Sequence, residues 1–428
     1  MIARRHFLAL SSAGIALGAL AACSNDSSSG GVGDNAVEVF TWWAQGSEKA
    51  GLDALVKVFN AQHPDIEFVN GSVAGGAGSA AKDMLQSRLQ TKNPPDTFQA
   101  HAGAELTDYI SAGQIEDVSA LYTEFGLTDA FPQSLVDLLT LDGKIYSVPS
   151  NIHRSNVVWA SVPALEKAGI DPTQIPADYD AWVADLDKAK GAGLTALSLA
   201  APWTQVNLLE AVLMAQLGST AYNGLFDGTT EWSSPQVTDA LAAFEKLIEY
   251  TNTDRDSLDW PEATAMLIDD KAAYNVMGDW AVAAFQEADL EDQTDYVYFE
   301  VPSAGSGDKI FGFLADSFTM PVGAPHPDNT KAWLQTISSV EGQEAFNLAK
   351  GSIPARTDTD NSKFPPYQQS ALESFASDKI CPSIAHGAAT SVSWLNAISD
   401  ATSKFTSGAT DLAGYQDELV TAAKAGQA

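Results

Sequence analysis

"AVEVFTWWAQGSEKAGLDALVKVFNAQH", residues 36–63, places a strand, two adjacent tryptophans and an amphipathic helix in one continuous run. Ala36 to Trp42 reads as a buried strand, rich in valine and aromatic residues. From Lys49 to His63, Leu52, Leu55, Val56 and Phe59 recur at the spacing of one helix face, and "HPD" (63–65) stops the helix. Neighbouring residues on a strand point to opposite faces. Trp42 and Trp43 therefore enter one core together only if the strand has already ended, so at least one of them calls for another role.

Outward from this stretch the alternation continues. "IEFVN" (66–70) is a strand, "GSVAGGAG" (71–78) a glycine-rich loop, "SAAKDMLQSRLQ" (79–90) a helix and "DTFQAH" (96–101) a third strand. Strand, helix, strand, helix, strand implies parallel pairing in an α/β layer, and such sheets bind ligands at the carboxyl ends of their strands. Trp42, Trp43, Gln99 and His101 all fall at those ends. The pattern recurs later: "KAAYNVMGDW" (271–280) reads as strand Ala272 to Met277 turning through Gly278 and Asp279 into Trp280, and "LTALSLAAPWTQ" (194–205) brings Trp203 out at a strand end. "IFGFLADSFTMPVG" (310–323) reads as an apolar strand interrupted by Asp316. A buried carboxylate without partners costs several kcal/mol, so Asp316 is expected to have a polar partner.

The N-terminal segment carries Arg4 and Arg5, an apolar run from Phe7 to Ala22, then Cys23 and a serine-rich stretch. It reads as a secretory signal, too short and too rich in Ala, Gly and Ser for a membrane span. "LAAC" (20–23) resembles the lipobox of bacterial lipoproteins, which implies acylation of Cys23, with 24–35 as a tether; the other reading is an ordinary signal with an incidental cysteine. "RRHFL" also resembles the twin-arginine export signature, without its following lysine. Of the whole chain, 23 residues are basic and 55 acidic, a net charge of −32. Loss of the signal would leave 21 basic residues against 55, a charge of −34. Such a chain is a poor match for nucleic acid. After lipidation only Cys381 would remain, so no intramolecular disulfide is expected. Roughly 395 mature residues suit two or three domains.

Signatures of catalysis are missing: the sequence has no HExxH, CxxC or GxSxG, and "GSGDKI" (305–310) lacks the spacing and the hydroxyl residue of a phosphate loop. "VAGGAG" (73–78) precedes a helix but has no adjacent basic residue, which favours close backbone approach over anion binding. His101 and Glu105 are only two of the ligands a metal needs, and a hydrogen-bonded histidine is the simpler reading. No metal and no cofactor is expected. Ten tryptophans point instead to stacking: aromatic faces pack on the C–H faces of pyranose rings while polar side chains bond the hydroxyls. The same tryptophans can be plain core, the reading preferred for Trp159 and Trp182. Lys350 by itself reads as the last turn of helix "VEGQEAFNLAK" (340–350) before Gly351.

Taken in order, "LAAC", "TWW", "GGAG", "PPDTFQAHAG", "GKIYSVPSNIHRSNVVW", "PWTQ", "AAYNVMGDW", "ADSF", "KGSIPAR" and "HGA" resemble the extracellular solute-binding proteins (family 1) of carbohydrate ABC transporters, especially the glucose, galactose and mannose-binding subgroup. The resemblance runs from about Val37 to the C-terminal region. It implies an α/β fold of two lobes, the type II periplasmic-binding-protein-like fold, with hinge strands and a central ligand cleft. Crossings are expected near "LDGKIYSVPSN" (141–151) and "FGFLADSFTMP" (311–321). Residues 1–22 would be the lipoprotein signal peptide and 23–35 the lipidated cysteine and tether; 36–146 with 310–352 would form the N-terminal lobe, and 147–309 with 353–428 the C-terminal lobe.

By the same resemblance, Trp42, Trp43, Gln99, His101, His153, Trp280, Asp316, Lys350 and His386 line a sugar site, with Trp260 a further aromatic wall and Trp203 an additional contact. Glu48 comes one residue later than the family's carboxylate, which leaves Ser47 as the alternative. The implied function is a lipid-anchored, monomeric protein on the outer face of the cell membrane. It would capture a neutral hexose by lobe closure and deliver it to ABC permease subunits, without catalysis. The alternatives are a lipid-anchored glycoside hydrolase, which would need a suitably spaced carboxylate pair, and a sugar sensor with the same fold.

Overall fold

The computed structural model describes residues 33–74, 78–303 and 307–427. The expected signal peptide, Cys23 and most of the tether lie outside them. The opening strand, β1 (Ala36–Phe40), ends before the tandem tryptophans, and its helix, Gly46–Gln62, starts three residues earlier than periodicity suggests. β1 pairs in parallel with β2 (Glu67–Asn70) and with β3 (Thr97–His101), as alternation with helices requires. A short hairpin, β4 (Thr140–Leu141) and β5 (Lys144–Ile145), leads into β6 (Ser147–Pro149). Next come β7 (His153–Arg154), β8 (Val157–Ser161), β9 (Thr195–Ser198), β10 (Ala272–Val276) and β11 (Tyr296–Glu300). The last three are β12 (Ile310–Leu314), β13 (Asp316–Thr319) and β14 (Lys379–Pro382).

These strands form two main sheets, ordered β2-β1-β3-β13-β6 and β11-β8-β10-β9, and a small one, β14-β12-β7, besides the hairpin. The apolar stretch 310–323 is thus two strands in two sheets. β12 pairs with β7 and β14, the chain breaks at Ala315, and β13 pairs antiparallel with β3 and β6. Asp316 stands at that break, opposite His101 in the register. Helices Gly46–Gln62, Pro327–Ser338 and Val340–Lys350 pack together beside the first sheet, whereas Pro202–Asp227, Pro235–Ile248, Val392–Thr406 and Leu412–Gly426 pack together, the first of them against β12 and β14, and share an apolar core with the second sheet. Two apolar cores result, and the first extends to Trp260, Trp280 and Phe285.

Trp159 and Trp182 are fully buried, as expected of core residues. Trp159 donates its Nε1–H to the Met277 carbonyl at 2.8 Å. Cys381 is buried and unpaired.

One buried carboxylate ties the small sheet to helix Pro202–Asp227. Glu210, within Pro202–Asp227, accepts hydrogen bonds from Ser155 Oγ (2.8 Å), Ser383 Oγ (2.9 Å) and the Ala385 N–H (2.9 Å). Ser155 N–H in turn donates to the Gly312 carbonyl and Ser383 N–H to the Phe313 carbonyl, both at 2.8 Å. Burial pushes the Glu210 carboxyl from 4.5 up to about 7, against the pull of these donors. A pKa raised by folding means that the folded chain holds a proton the unfolded chain releases. Its contribution to stability is therefore complete below pH 4.5 and is lost as pH rises through about 7. Urea denaturation across this range should show the wild type losing roughly 3 kcal/mol relative to Glu210→Gln as pH rises. Parallel pH profiles would reject this assignment.

Candidate functional site

Between the two main sheets lies a cavity lined by tryptophans, histidines and a few buried charged groups. It is built first by how the chain leaves β1. Thr41 Oγ1 donates to Gln99 Oε1, the same oxygen accepts the Trp42 N–H at 3.3 Å, and the Trp43 N–H donates to Thr41 Oγ1 at 3.2 Å. This bend frees both tryptophans from strand alternation, and both line the cavity. Trp43 packs on Phe346 and Phe318, with ring centroids 4.5 and 5.3 Å away, yet its buried Nε1–H has no partner. Trp42 leans on His101 at 4.9 Å, and Lys82 Nζ lies 5.2 Å from its ring.

Two glycines make room for the indoles. Gly78 has φ +88°, and a Cβ there would come within 2.7 Å of the Trp42 ring. At Gly278 a Cβ would overlap the Trp280 ring, which folds back over that residue from the turn after β10. Trp280 then meets His153, His386 and Trp203 at centroid distances of 5.3, 5.1 and 6.2 Å. Trp203 reaches the cavity from the first turn of helix Pro202–Asp227, not from the end of β9, which stops at Ser198. Its Nε1–H lies 3.4 Å from Asp259 Oδ1.

Asp316 has the partners its burial demands. Gln99 Nε2 donates to Oδ1 at 2.7 Å and Asn151 Nδ2 to Oδ2 at 2.9 Å, while His101 Nε2 and His153 Nε2 stand 3.5 and 3.6 Å away. Burial opposes its charge, but His101, His153 and Lys350 outweigh burial and hold the carboxyl below its ordinary range. Glu48 faces Lys350 at 3.5 Å. Burial, only partly offset by Lys350, pushes the Glu48 carboxyl up to about 7. Ser47 instead donates to the Trp280 carbonyl at 3.1 Å, so Glu48, not Ser47, reaches the cavity. Lys350 is both things at once: the last residue of its helix, capped by Gly351, and a cavity group.

Of the residues predicted from sequence, all but Gln99 line the cavity. Gln99 shares its face of β3 with His101 but sits two residues further from the strand end, and its amide is taken up by Thr41 and Asp316. The metal alternative at His101 and Glu105 is answered by Lys82, whose Nζ is 2.8 Å from the same Glu105 oxygen that His101 Nδ1 meets at 2.7 Å. Among the described residues no three side chains are grouped to hold a metal ion. Sequence reading missed Gln45, Gly78, Asp259 and Leu314. Asp259 had a legible signal, since "DWPE" is a capping box and Asp259 caps helix Trp260–Ile268.

Known proteins resemble this chain over most of its length. The bacterial extracellular solute-binding protein family matches residues 43–344. An uncharacterized ABC transporter extracellular-binding protein of Pyrococcus horikoshii is 34% identical over 368 residues, covering 85% of this chain and 82% of that protein. A probable sugar-binding periplasmic protein of Rhizobium meliloti is 30% identical over 399 residues, 91% of this chain and 94% of that one. Among solved structures, a chitin oligosaccharide binding protein superposes with a TM-score of 0.81 at 21% identity, covering 92% of this chain and all of that one. At that identity the likeness concerns the fold.

The seating of Trp280 can be tested without any ligand. Gly278→Ala should expel the indole and weaken the tryptophan bands of the near-ultraviolet circular dichroism, with the far-ultraviolet spectrum unchanged. An unaltered near-ultraviolet spectrum would mean that the ring does not rest on Gly278.

Proposed function

We infer the ligand from a firm premise: the chain belongs to the bacterial extracellular solute-binding proteins and is the sugar-binding component of an ABC transporter. It is a binding protein, not a hydrolase, and acts outside the cytoplasm with a permease as partner. No helix among the described residues is long and apolar enough to cross a membrane. The ligand we propose is a single neutral hexose, glucose before galactose or mannose. The observation that supports it is the combination of indoles with fixed polar groups. Trp42, Trp43 and Trp280 offer apolar faces, while Asp316, Glu48, Lys350 and the imidazoles lie in the same cavity. The charges in this set are mixed, and Glu48 pairs with Lys350, so no unopposed basic group calls for an anion. Micromolar binding of a sugar with about twelve heavy atoms needs about −8 kcal/mol, or about −0.7 kcal/mol per atom, below the ceiling for small ligands.

Closure follows from where the contacts originate. Our proposed lobes are 36–146 with 310–352, and 147–309 with 353–428, corrected at two edges by strand pairing: β6 (Ser147–Pro149) belongs with the first main sheet, and β12 (Ile310–Leu314) with β7 and β14, so the crossings fall after Pro149 and at Ala315. Trp42, Trp43, His101, Asp316 and Lys350 then belong to one lobe, and His153, Trp280 and His386 to the other. The lobes also touch directly: Ser47 Oγ donates to the Trp280 carbonyl at 3.1 Å, Glu105 N–H to the Gly387 carbonyl at 2.9 Å, and Val392 N–H to Asp108 Oδ2 at 2.8 Å. A ligand contacting both lobes favours this closed arrangement by its differential affinity. Acylation of Cys23, which would anchor a monomer to the membrane, completes the proposal.

Thermal-shift measurements with D-glucose, D-galactose and D-mannose should show at least one stabilising the protein, by about 2.7 kcal/mol at a hundred times Kd. Trp280→Ala should weaken that binding, and Asp316→Ala should cost about 1 to 3 kcal/mol of it. No response to any hexose beside a strong response to an oligosaccharide would overturn the ligand; full affinity in both variants would remove the site. Mass spectrometry of protein from its native host should find Cys23 acylated, and an unmodified Cys23 would reject the anchor.

A further inference from the structure

Three histidines line the cavity, and each has its Nδ1 edge engaged from behind by a buried group. His101 Nδ1 lies 2.7 Å from Glu105 Oε2, which also takes a hydrogen bond from Lys82 Nζ at 2.8 Å. His153 Nδ1 meets Asp279 Oδ1, while Asp279 Oδ2 accepts the Arg154 N–H at 3.0 Å. His386 Nδ1 is 2.8 Å from Ser383 Oγ, whose hydroxyl is within 2.9 Å of both Glu210 oxygens. Glu105 and Asp279 are fully buried, Glu210 likewise, and none of the three lines the cavity.

We propose that Glu105, Asp279 and the Glu210–Ser383 pair are positioning residues that hold a proton on Nδ1 of His101, His153 and His386, turning all three Nε2 edges toward the ligand. The reasoning is donor and acceptor counting. An ionised carboxylate only accepts, so the imidazole nitrogen beside Glu105 or Asp279 must donate. Ser383 has one proton; beside an ionised Glu210 that proton points to the carboxylate, leaving the hydroxyl oxygen to accept from His386 Nδ1. The other edges behave accordingly. His101 and His153 direct Nε2 at Asp316 from 3.5 and 3.6 Å, too far for a good hydrogen bond, and His153 Nε2 is buried with no partner. A ligand hydroxyl placed there would supply one.

His386 differs from the other two because its Nδ1 meets a hydroxyl, not a carboxylate. Burial, reinforced by His101, Lys82, His153 and Lys350, pushes its pKa well below the ordinary value. A neutral imidazole protonated on Nδ1 offers a lone pair at Nε2, so His386 reads a group that donates. Its role in recognition rests on the hexose reading above; the tautomers do not.

The experiment uses the ligand-free protein labelled with 15N-histidine at pH 8.5, above the pH at which Glu210 titrates, and two-bond 1H–15N correlation spectra assigned with single-histidine variants. Expected are protonated Nδ1 patterns for His101, His153 and His386, with an unprotonated Nε2 for His386. A bare Nδ1 on any of the three, or a protonated Nε2 on His386, overturns the proposal. Ser383→Ala should lose the pure Nδ1–H pattern of His386 alone, and Glu105→Ala that of His101 alone. An unchanged pattern in the partnered histidine refutes positioning. The wild-type spectrum decides the matter if a variant does not fold. Failure of all three hexoses to bind, with the three patterns as stated, removes the hexose and leaves this assignment standing.

Discussion

The Asp316 carboxylate is the constraint around which the rest is arranged. Buried charge is tolerable only where partners surround it, and they come from separate parts of the chain: Gln99 on β3 and Asn151 between β6 and β7 donate to it, while the imidazoles of His101 and His153 stand 3.5 and 3.6 Å away. Asp316 also occupies the break where one apolar segment leaves the small sheet and enters the first main sheet. Satisfying one carboxylate therefore fixes the junction of the two sheets and the floor of the cavity together.

The aromatic wall follows a steric logic. A tryptophan near a strand end has many directions available, and the missing side chain of a neighbouring glycine selects one. Gly78 does this for Trp42 and Gly278 for Trp280. Once seated, the rings also cover the buried charges, which lowers the local dielectric and makes each hydrogen bond in the cavity count for more. The strongly acidic composition therefore says little about the site. What matters there is local pairing, such as Glu48 with Lys350 and Glu105 with Lys82 and His101.

Much of the site was legible because the strand-end rule depends only on topology. Parallel β1 and β3 put Trp42, Trp43 and His101 on one edge whatever the loops do. Trp203 illustrates the limit: its strand was correctly expected, but the helix after β9 delivers the ring, beginning with Pro202 in its first turn rather than where a hydrophobic period would start it. Gln99 illustrates another. It shares a face of β3 with His101, yet it lies two residues back from the strand end and its amide is spent on Thr41 and Asp316.

The chain's own pattern determined the α/β alternation, the parallel opening of the first sheet, the core roles of Trp159 and Trp182, and the need of Asp316 for a partner. Each depends on periodicity or on the cost of burying a charge, and both are local properties of the residues. Only the tertiary structure decided that 310–319 divides between two sheets, that Glu48 rather than Ser47 reaches the cavity, that Gly78 and Gly278 seat the indoles, and that three carboxylates stand behind three histidines. Those facts join residues far apart in the chain, such as His153 and Asp279 at a separation of 126 and Glu210 and Ser383 at 173. No pattern within a single element encodes such distances; they arise when the two sheets pack and each buried polar group must find a partner.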